Sequence, residues 1–424
     1  MDFFINIDRF KENYFFMKRV KIGVIGRGCR GSGLMETMVL TDKYEFIMIC
    51  DKYEDRAENG VKFVKEKLGY EPKGTTNYHE VLANPEVEAV LISCDWEMHI
   101  PIAIDAMRAG KAIALEVGGA YSVDECYKLV EEWEKARVPF MFLENCCYNK
   151  DELLCLNMAK AGKLGRIVYA SGSYSHDLRG EVTGGKENRH YRLRNYLNRN
   201  CENYPTHELG PIAKILGINR GNRMVSLVSV ASGAFGMSDY VEKRKANGTL
   251  VNEELIGAEF KQGDVVNTII TCENGEQILI RLDTCLPRSY SREFIVHGTN
   301  GMYEQAYDAV YMEGEKEYWE PSDYAKNNLN NSEKYKEYLP DFWRTITKEQ
   351  IDAGHGGMDF FELTDFANRL LEGKDMPIDV YDAAAWMVIT PLSELSIKAG
   401  GMPQAVPDFT KGAYKSRPRF DVID

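Results

Sequence analysis

A glycine-rich turn between a short apolar strand and a helix constrains the fold of this chain more than any other feature. The run Val20–Ile25 predicts a buried strand, and Gly26, Gly28 and Gly31 follow it with G-x-G-x-x-G spacing before a helical pattern that reaches Leu40. The first glycine permits a tight turn, the second lets a pyrophosphate approach the backbone, and the third allows helix and strand to pack closely. The sequence therefore predicts a dinucleotide-binding Rossmann unit.

An acidic residue at the end of the second predicted strand indicates which dinucleotide binds. Asp51 directly follows the apolar run Tyr44–Cys50. A carboxylate at this point accepts hydrogen bonds from an adenosine ribose and repels a 2′-phosphate, so NAD is favoured over NADP. Two arginines of the turn, Arg27 and Arg30, lie over the phosphates or are solvated, and the residues leave both alternatives open.

The rest of the first third alternates between strands and helices. Further apolar strands are predicted at 87–94, 112–117 and 139–143, with helices at 61–68, 100–109 and 123–135. Strands that alternate with helices at this spacing indicate a parallel, doubly wound sheet.

After Glu144 the pattern changes to short strands with β alternation. Strands are predicted at 166–174, 225–230, 266–272, 277–283 and 292–297, helices at 151–161, 360–371 and 383–398, and no periodic structure at 180–203. The turn sequence Glu273-Asn-Gly275 between two strands is typical of antiparallel pairing. We expect three parts: an N-terminal extension (1–17), an NAD-binding Rossmann domain (18–148) and a substrate-binding α/β domain (149–424). The C-terminal helices are expected to pack back on the Rossmann domain.

Charge and cysteine content exclude several classes of function. The net charge of −13 argues against binding to nucleic acid or to an anionic membrane, because neither phosphate array would be attracted. Ten cysteines without a C-x-x-C pair are typical of reduced thiols. No apolar run approaches the ~20 residues of a membrane helix. We therefore expect a cytoplasmic protein, with residues 1–16 forming an extra helix or an upstream extension.

Two further motifs give the chain a family likeness. The Rossmann unit, the run Ser93-Cys-Asp-Trp96-Glu-Met-His99 and the turn after Glu116 resemble the glucose–fructose oxidoreductase/inositol dehydrogenase (Gfo/Idh/MocA) superfamily. The resemblance implies an α/β fold, with a doubly wound parallel sheet followed by an α+β domain built on an open, largely antiparallel sheet. It also implies a homo-oligomer.

The turn after Glu116 departs from that superfamily. Its dehydrogenases have the sequence Glu-Lys-Pro there, and the lysine handles the proton of the hydroxyl that is oxidised. Here Val117 and Gly118 stand in the lysine and proline positions. A cofactor site without that lysine suggests a cofactor used for something other than net oxidation.

Five other segments are similar to the NAD-dependent glycosidases of glycoside hydrolase family 109, the α-N-acetylgalactosaminidase group. They are Glu144-Asn-Cys-Cys-Tyr148, Tyr174-Ser-His176-Asp-Leu-Arg179, Tyr204-Pro-Thr-His207-Glu-Leu-Gly-Pro, Pro287-Arg-Ser-Tyr-Ser-Arg292 and His355-Gly-Gly-Met-Asp359. The likeness implies hydrolysis of terminal N-acetylgalactosaminides with retention. In that mechanism NAD oxidises C3 transiently, a base removes the C2 hydrogen as the aglycone leaves C1, water adds to the unsaturated intermediate and C3 is reduced again.

The family likeness also implies a set of site residues. Tyr204 and His207 are expected to transfer protons, since positions three apart share a face if a helix begins after Pro205. The residues expected around the sugar are Glu144, Tyr174, His176 and Arg192. Those expected around the cofactor are Gly26, Gly28, Cys29, Arg30, Gly31, Asp51, Ser93, Trp96, His99, Glu116 and Asn145. His355 and Asp359 have no assigned role.

Other functions remain open at this point. Glu144, His176, His207 and His355 lack the spacing of a metal site, so we expect no metal. A sugar dehydrogenase or epimerase with an unusual base is the first alternative to the glycosidase. A non-catalytic protein that binds NAD or sugar is the second.

Overall fold

The described residues form two β-sheets, a parallel sheet of six strands and a mixed sheet of eight. The computed structural model describes residues 18–186, 189–315, 322, 326 and 329–423. The predicted extension 1–17 lies outside the described residues. Among the described residues, no helix has the length and apolar character needed to cross a membrane.

The first sheet is the predicted Rossmann unit. In order across the sheet its strands are Lys73–Thr75, Tyr44–Cys50, Val20–Ile25, Ala89–Ile92, Ala112–Glu116 and Phe140–Leu143. The connecting helices are Cys29–Thr41, Glu54–Leu68, Tyr78–Ala83, Trp96–Arg108 and Val123–Ala136. All neighbouring strands run parallel. Their carboxyl ends therefore meet at one edge, where ligands bind in such folds.

The second sheet is largely antiparallel, as expected. In order its strands are Ala309–Met312, Gly301–Glu304, Ile295–Gly298, Ile167–Ser175, Gln277–Asp283, Val265–Cys272, Met224–Ala231 and Gln404–Ala405. The pair formed by Ile167–Ser175 and Gln277–Asp283 is parallel, and the other described pairs are antiparallel. The α/β class and the order of a parallel sheet before an antiparallel one are confirmed.

Helices after Glu144 cover the second sheet and link it to the first. Their bounds are Lys150–Lys160, Arg179–Thr183, Arg192–Asn198, Thr206–Ile215, Gly236–Ala246, Asp341–Thr345, Lys348–Asp352, Met358–Glu372, Val380–Met387 and Ile389–Lys398. Short 3-10 turns lie at Asn145–Tyr148, Glu253–Leu255, Gln305–Tyr307, Ser332–Tyr338, His355–Gly357 and Ala413–Lys415.

The prediction of a non-periodic segment at 180–203 was wrong in two places. Helices occupy Arg179–Thr183 and Arg192–Asn198. Each spans fewer than two turns, which is too short for a 3.6-residue apolar pattern to show in the sequence.

The single C-terminal helix predicted at 383–398 is two helices separated at Val388. Pro391 lacks the N–H that would otherwise bond to the carbonyl of Met387. That carbonyl accepts a hydrogen bond from the Ala120 N–H, 3.2 Å away, beside the parallel sheet. Phe142 N–H likewise donates to Ile378 O at 2.9 Å. The C-terminal helices thus contact the first sheet, while the domain boundaries at 148 and 149 stay a prediction.

Two glycines bring the helix Thr206–Ile215 close to both sheets. A Cβ on Gly172 of the strand Ile167–Ser175 would lie 2.9 Å from the Cβ of Glu208. A Cβ on Gly210 would lie 2.7 Å from Cγ of Glu144, which follows the last strand of the parallel sheet. Real Cβ atoms do not approach so closely, so both glycines are needed for this packing. The helix therefore holds the Tyr204–His207 segment against the edge of the Rossmann unit.

Candidate functional site

A cavity of about 1380 Å³ runs from the glycine-rich turn to the second sheet. Gly26 and Asp51 line one end, and Tyr174, Tyr204 and His207 line the other. Ligand pockets commonly measure about 300–1,000 Å³, so this volume accommodates a dinucleotide together with a sugar. We call the two parts the cofactor end and the sugar end.

The glycine-rich turn has the shape of a dinucleotide cradle. Gly26 has φ +98°, and a Cβ there would lie 2.6 Å from Cys94 N. A Cβ on Gly31 would lie 2.2 Å from Gly26 O, whereas Gly28 lines the cavity. Ser93 Oγ donates a hydrogen bond to Gly26 O at 2.7 Å and fixes the turn. These residues fit a bound pyrophosphate, since the helix beginning at Cys29 directs its N-terminus to this turn.

Asp51 closes the far side of the cofactor end. Its Oδ2 accepts a hydrogen bond from Arg27 N–H at 2.7 Å, and its Oδ1 accepts one from Tyr53 N–H at 3.0 Å. Each carboxylate oxygen has a second lone pair. The carboxylate is thus fixed at the cavity wall and can still accept ribose hydroxyls.

Arg30 is the centre of an ion-paired network between the Rossmann unit and the helix Met358–Glu372. Its Nε donates to Glu116 Oε1 at 2.7 Å. Its Nη1 and Nη2 donate to the two carboxylate oxygens of Asp359 at 2.5 and 3.0 Å. Asn145 Nδ2 donates to Asp359 at 2.8 Å, and His355 Nδ1 lies 2.9 Å from the same carboxylate. The Arg30 side chain is thus ion-paired while 28% of it stays exposed, and its phosphate contact stays a prediction.

The turn that lacks the dehydrogenase lysine is filled by an aromatic ring. A Cβ on Gly118 would lie 2.5 Å from Cδ1 of Trp96. The Trp96 ring stacks on Tyr204, with ring centroids 5.3 Å apart and an angle of 19° between the planes. The Arg192 guanidinium lies 4.9 Å from the centroids of both Trp96 and Tyr204. Gly118 therefore makes room for the stack that positions Tyr204.

Tyr204, His207 and Glu144 form a hydrogen-bonded chain at the sugar end. Tyr204 Oη lies 3.3 Å from His207 Nε2, and His207 Nδ1 lies 2.7 Å from Glu144 Oε1. Glu144 has no exposed surface, whereas Tyr204 and His207 line the cavity. The carboxylate fixes the ring tautomer with hydrogen on Nδ1, so Nε2 accepts the Tyr204 hydroxyl proton. This chain can move a proton between the cavity and a buried acid.

Burial and charge shift the pKa values of Tyr204 and Glu144, the two ends of this hydrogen-bonded chain, in opposite directions. Burial raises the pKa of the Tyr204 phenol well above its usual range. Burial also opposes ionisation of Glu144, but the neighbouring His207 outweighs it and the pKa of Glu144 is lowered. Tyr204 therefore starts as a neutral donor and Glu144 as an ionised partner of the imidazole.

Arg292, for which the sequence predicted no role, holds the backbone of His207 in the hydrogen-bonded chain. Arg292 is buried, and its Nη2 donates to the carbonyl of His207 at 2.6 Å. The same nitrogen lies 2.8 Å from Glu152 Oε1. Arg292 ends the Pro287–Arg292 motif, so the motif was a usable signal, but spacing alone gives no partner for it.

A second group of rings borders Tyr174. Tyr174 Oη lies 3.5 Å from His176 Nδ1. The exposed ring of Tyr290 lies edge-on to His176 at 5.4 Å and to Tyr174 at 6.4 Å. Burial lowers the pKa of His176, which favours its neutral form. Tyr290 was missed as a site residue, although it belongs to the Pro287–Arg292 motif.

The cavity brings most of the predicted site residues together. Its lining includes Gly26, Gly28, Cys29, Arg30, Asp51, Ser93, Trp96, His99, Glu116, Asn145, Tyr174, Arg192, Tyr204 and His207. Three other predicted residues stand behind the lining. Gly31 packs on the turn itself, Glu144 lies behind His207, and His176 lies beside Tyr174.

One cluster has the spacing of metal ligands. A carboxylate oxygen of Glu144, Cys146 Sγ and a ring nitrogen of His207 lie within 4.8 Å of one another. Burial raises the pKa of the Cys146 thiol well above its usual range. A metal requires the thiolate, so this environment disfavours metal binding. The expectation of no metal stays a prediction.

Family models match both halves of the chain. Residues 148–416 match the C-terminal domain of glycosyl hydrolase 109, and residues 20–143 match the oxidoreductase family with an NAD-binding Rossmann fold. A solved levoglucosan dehydrogenase in complex with NADH and levoglucosan has 18% sequence identity and a TM-score of 0.68. The match covers 92% of this chain and 100% of the dehydrogenase chain, and it shows that the two proteins share a fold.

Relatives match the chain along nearly all of its length. A glycosyl hydrolase family 109 protein of Stenotrophomonas maltophilia is 34% identical, over 96% of this chain and 92% of its own. An alpha-N-acetylgalactosaminidase of Tannerella forsythia is 33% identical, over 94% of this chain and 88% of its own. With a family model over more than half of its residues, the chain belongs to glycosyl hydrolase family 109 and is a glycoside hydrolase that uses NAD.

Proposed function

We propose that this enzyme hydrolyses terminal N-acetylgalactosaminides through transient oxidation at C3 of the sugar, with retention. The observation that carries the proposal is the chain of Tyr204, His207 and Glu144 at the sugar end, with contacts of 3.3 and 2.7 Å. The relatives from Tannerella forsythia and Shewanella oneidensis that bear the name alpha-N-acetylgalactosaminidase support this choice of sugar.

The Tyr204–His207 pair transfers the protons of the reaction. Tyr204 lines the cavity, so its hydroxyl exchanges a proton with the substrate and passes one to His207 Nε2. Glu144 stabilises the imidazolium that results, because its buried carboxylate contacts Nδ1. The Arg192 guanidinium over the Tyr204 ring stabilises negative charge on the phenol oxygen.

Bound NAD supplies the oxidation at C3, which acidifies the neighbouring C2–H and is reversed before the product leaves. Val117 and Gly118 fit this use, because no lysine of that turn competes for the hydroxyl proton. The proton instead goes to Tyr204, which Trp96 fixes by stacking. Ordinary glycosidases use two carboxylates that flank the scissile bond, and NAD-dependent enzymes are an exception to that rule.

The residues around Tyr174 bind and orient the sugar. Tyr174 and Arg192 line the cavity next to Tyr204. His176 supports the Tyr174 hydroxyl from behind, and Tyr290 extends the aromatic surface toward solvent. Aromatic faces of this kind stack on the apolar face of a pyranose, while the hydroxyl and guanidinium groups fix its orientation.

The decisive experiment measures both the release of the aglycone and the loss of deuterium from C2. The purified protein is incubated with p-nitrophenyl α-N-acetylgalactosaminide, and again with the same substrate deuterated at C2. We expect p-nitrophenol release without stoichiometric NADH and loss of deuterium from C2 to solvent. The matched β-anomer tests whether elimination through a ketone tolerates either configuration.

Each alternative predicts a different result in the same assay. Steady NADH accumulation with free sugars and no p-nitrophenol would replace the proposal by a sugar dehydrogenase. A protein that binds NAD and does neither would be a binding protein. Release of p-nitrophenol with full retention of deuterium would overturn the oxidation–elimination mechanism.

A further inference from the structure

The motif His355-Gly-Gly-Met-Asp359 has no role in the mechanism above, yet it is built with unusual backbone geometry. Four successive residues from Gly354 to Gly357 have positive φ, between +44° and +97°. His355, with φ +44°, is the non-glycine among them. A residue that carries a β-carbon is strained in this region, and such strain clusters at ligand clamps.

The tight turn presses the backbone onto one carboxylate. A Cβ on Gly354 would lie 2.6 Å from Asp359 Oδ2, so glycine is required for this approach. Asp359 is 1% exposed, lies in the first turn of the helix Met358–Glu372 and still lines the cavity. The strained segment thus delivers an almost buried carboxylate and a half-exposed imidazole to the same part of the wall.

Asp359 joins three separate segments of the chain. It accepts hydrogen bonds from both Nη groups of Arg30 in the glycine-rich turn and from the Asn145 amide at the end of the parallel sheet. Its Oδ2 also lies 2.9 Å from His355 Nδ1. His355 Nδ1 also lies 3.1 Å from Arg30 Nη1. Arg30, Asn145, His355 and Asp359 line the same cavity as the glycine-rich turn and Tyr204.

The positive charge of Arg30 is already satisfied within the protein. Arg30 contacts the two carboxylates of Glu116 and Asp359, so its positive charge is neutralised. The N–H groups at the start of the helix Cys29–Thr41 remain available to the pyrophosphate. What Asp359 supplies is fixed geometry, since a bidentate arginine–carboxylate pair restricts both partners.

We propose that Gly354–Asp359 is the second domain's contribution to the dinucleotide site. Asp359 is a positioning residue that holds Arg30 and Asn145 in the cavity wall, and His355 supplies a ring that contacts the bound dinucleotide at the cavity mouth. The clamp makes NAD slow to leave, as an enzyme that regenerates its cofactor in every cycle requires.

The test measures NAD release without any sugar, so its result is independent of the proposed glycosidase activity. The protein is loaded with radiolabelled NAD and chased with excess unlabelled NAD. We expect Asp359→Asn and Arg30→Lys to release NAD about tenfold to a hundredfold faster, the effect of losing one charge-assisted hydrogen bond. His355→Ala should also accelerate release.

A matched acid on the same helix separates positioning from a general structural effect. Asp365 accepts hydrogen bonds from Tyr148 Oη at 2.8 Å and Arg369 Nε at 2.7 Å. Asp365→Asn should lower the thermal unfolding midpoint without changing NAD release. If Asp359→Asn does not fold, Arg30→Lys and His355→Ala decide the question. Release rates within about twofold of the unmodified protein in those two variants would overturn the proposal.

Discussion

The two ends of the cavity handle charge in opposite ways. At the cofactor end, Arg30 is held by two carboxylates at 2.5–3.0 Å, and its charge is neutralised in place. At the sugar end, Tyr174 and Tyr204 are buried phenols whose pKa values burial raises, and His207 connects Tyr204 to Glu144. A fixed ion pair cannot donate or accept protons easily, whereas a chain of phenol and imidazole can. The comparison teaches that one end is built to hold a ligand and the other to move protons.

The largest effect should come from removing the imidazole at the sugar end. His207→Ala leaves Tyr204 without a proton acceptor and Glu144 without its partner, so kcat should fall by about 10³-fold. The dissociation constant for NAD should change by less than about twofold, because the Arg30 network is untouched. Steady-state kinetics and NAD titration check both.

A histidine outside the cavity provides the control for this variant. His297 lies on the strand Ile295–Gly298 and is exposed. His297→Ala should therefore leave kcat and NAD binding unchanged. Near-normal turnover in His207→Ala would show that protons leave Tyr204 by another route, and loss of NAD binding would show that the two ends are not separate.

A smaller loss is expected when the orienting acid becomes an amide. In Glu144→Gln the amide can donate to Nδ1, which favours the tautomer with hydrogen on Nε2 and blocks the acceptor that Tyr204 needs. We expect kcat to fall about 10²-fold with little change in KM. The matched Glu394→Gln removes a carboxylate that pairs with Arg199, and it should retain full activity. Equal losses in both variants would contradict the orienting role.

An intermediate effect should follow from closing the space beside Trp96. In Gly118→Ala the new Cβ would lie 2.5 Å from Trp96 Cδ1, so the indole must move and its stack on Tyr204 loosens. We expect kcat/KM to fall about tenfold, the effect of roughly 1–2 kcal/mol of overpacking. Gly180→Ala is the control, since its nearest neighbour would be Tyr240 Oη at an ordinary 3.4 Å. Unchanged activity in Gly118→Ala would separate the turn from catalysis.

The two ends also differ in how far the sequence could predict them. The cofactor end follows from local patterns, because Gly26, Gly28 and Asp51 sit at fixed offsets from predicted strands. The Tyr204-Pro-Thr-His207 motif predicted the proton-transfer residues of the sugar end. The helix expected after Pro205 is present as Thr206–Ile215. The Arg30–Asp359 pair spans 329 positions, and no periodicity reports such a contact.

Packing details explain the rest of what the sequence missed. Gly210 looks like an ordinary helix-interior glycine until its approach to Glu144 is known. Arg292 carries no pattern that names the His207 carbonyl as its partner. The break at Val388 was predictable in part, because Pro391 frees the Met387 carbonyl, but the acceptance of Ala120 N–H depends on the tertiary fold. Sequence patterns thus do not predict contacts between residues far apart in the chain, nor the close packing that a glycine permits.

The smallest effect concerns the free energy of unfolding, which depends on two buried carboxyls near the sugar end. Burial raises the pKa of Glu152 to about 7 and that of Glu202 to about 8. At a pH above their ordinary range, the folded state therefore binds more protons than the unfolded state, and stability falls as the pH rises through these values. His99 and His190 act in the opposite sense, because burial lowers the pKa of each to about 4, but their contribution ends near pH 6.5.

The net prediction is a loss of stability between pH 6.5 and 8. The free energy of unfolding should fall by roughly 1 kcal/mol per pH unit for each carboxyl that is still protonated in the folded state, so the contribution of Glu152 ends near pH 7 and that of Glu202 near pH 8. Glu202→Gln keeps the shape and removes the titration, so its slope should be smaller, while His297→Ala should follow the unmodified protein. Urea unfolding at four pH values measures this. A free energy that stays flat across the window would mean that Glu152 and Glu202 are already ionised in the folded state, and that the sugar end stores charge as the cofactor end does.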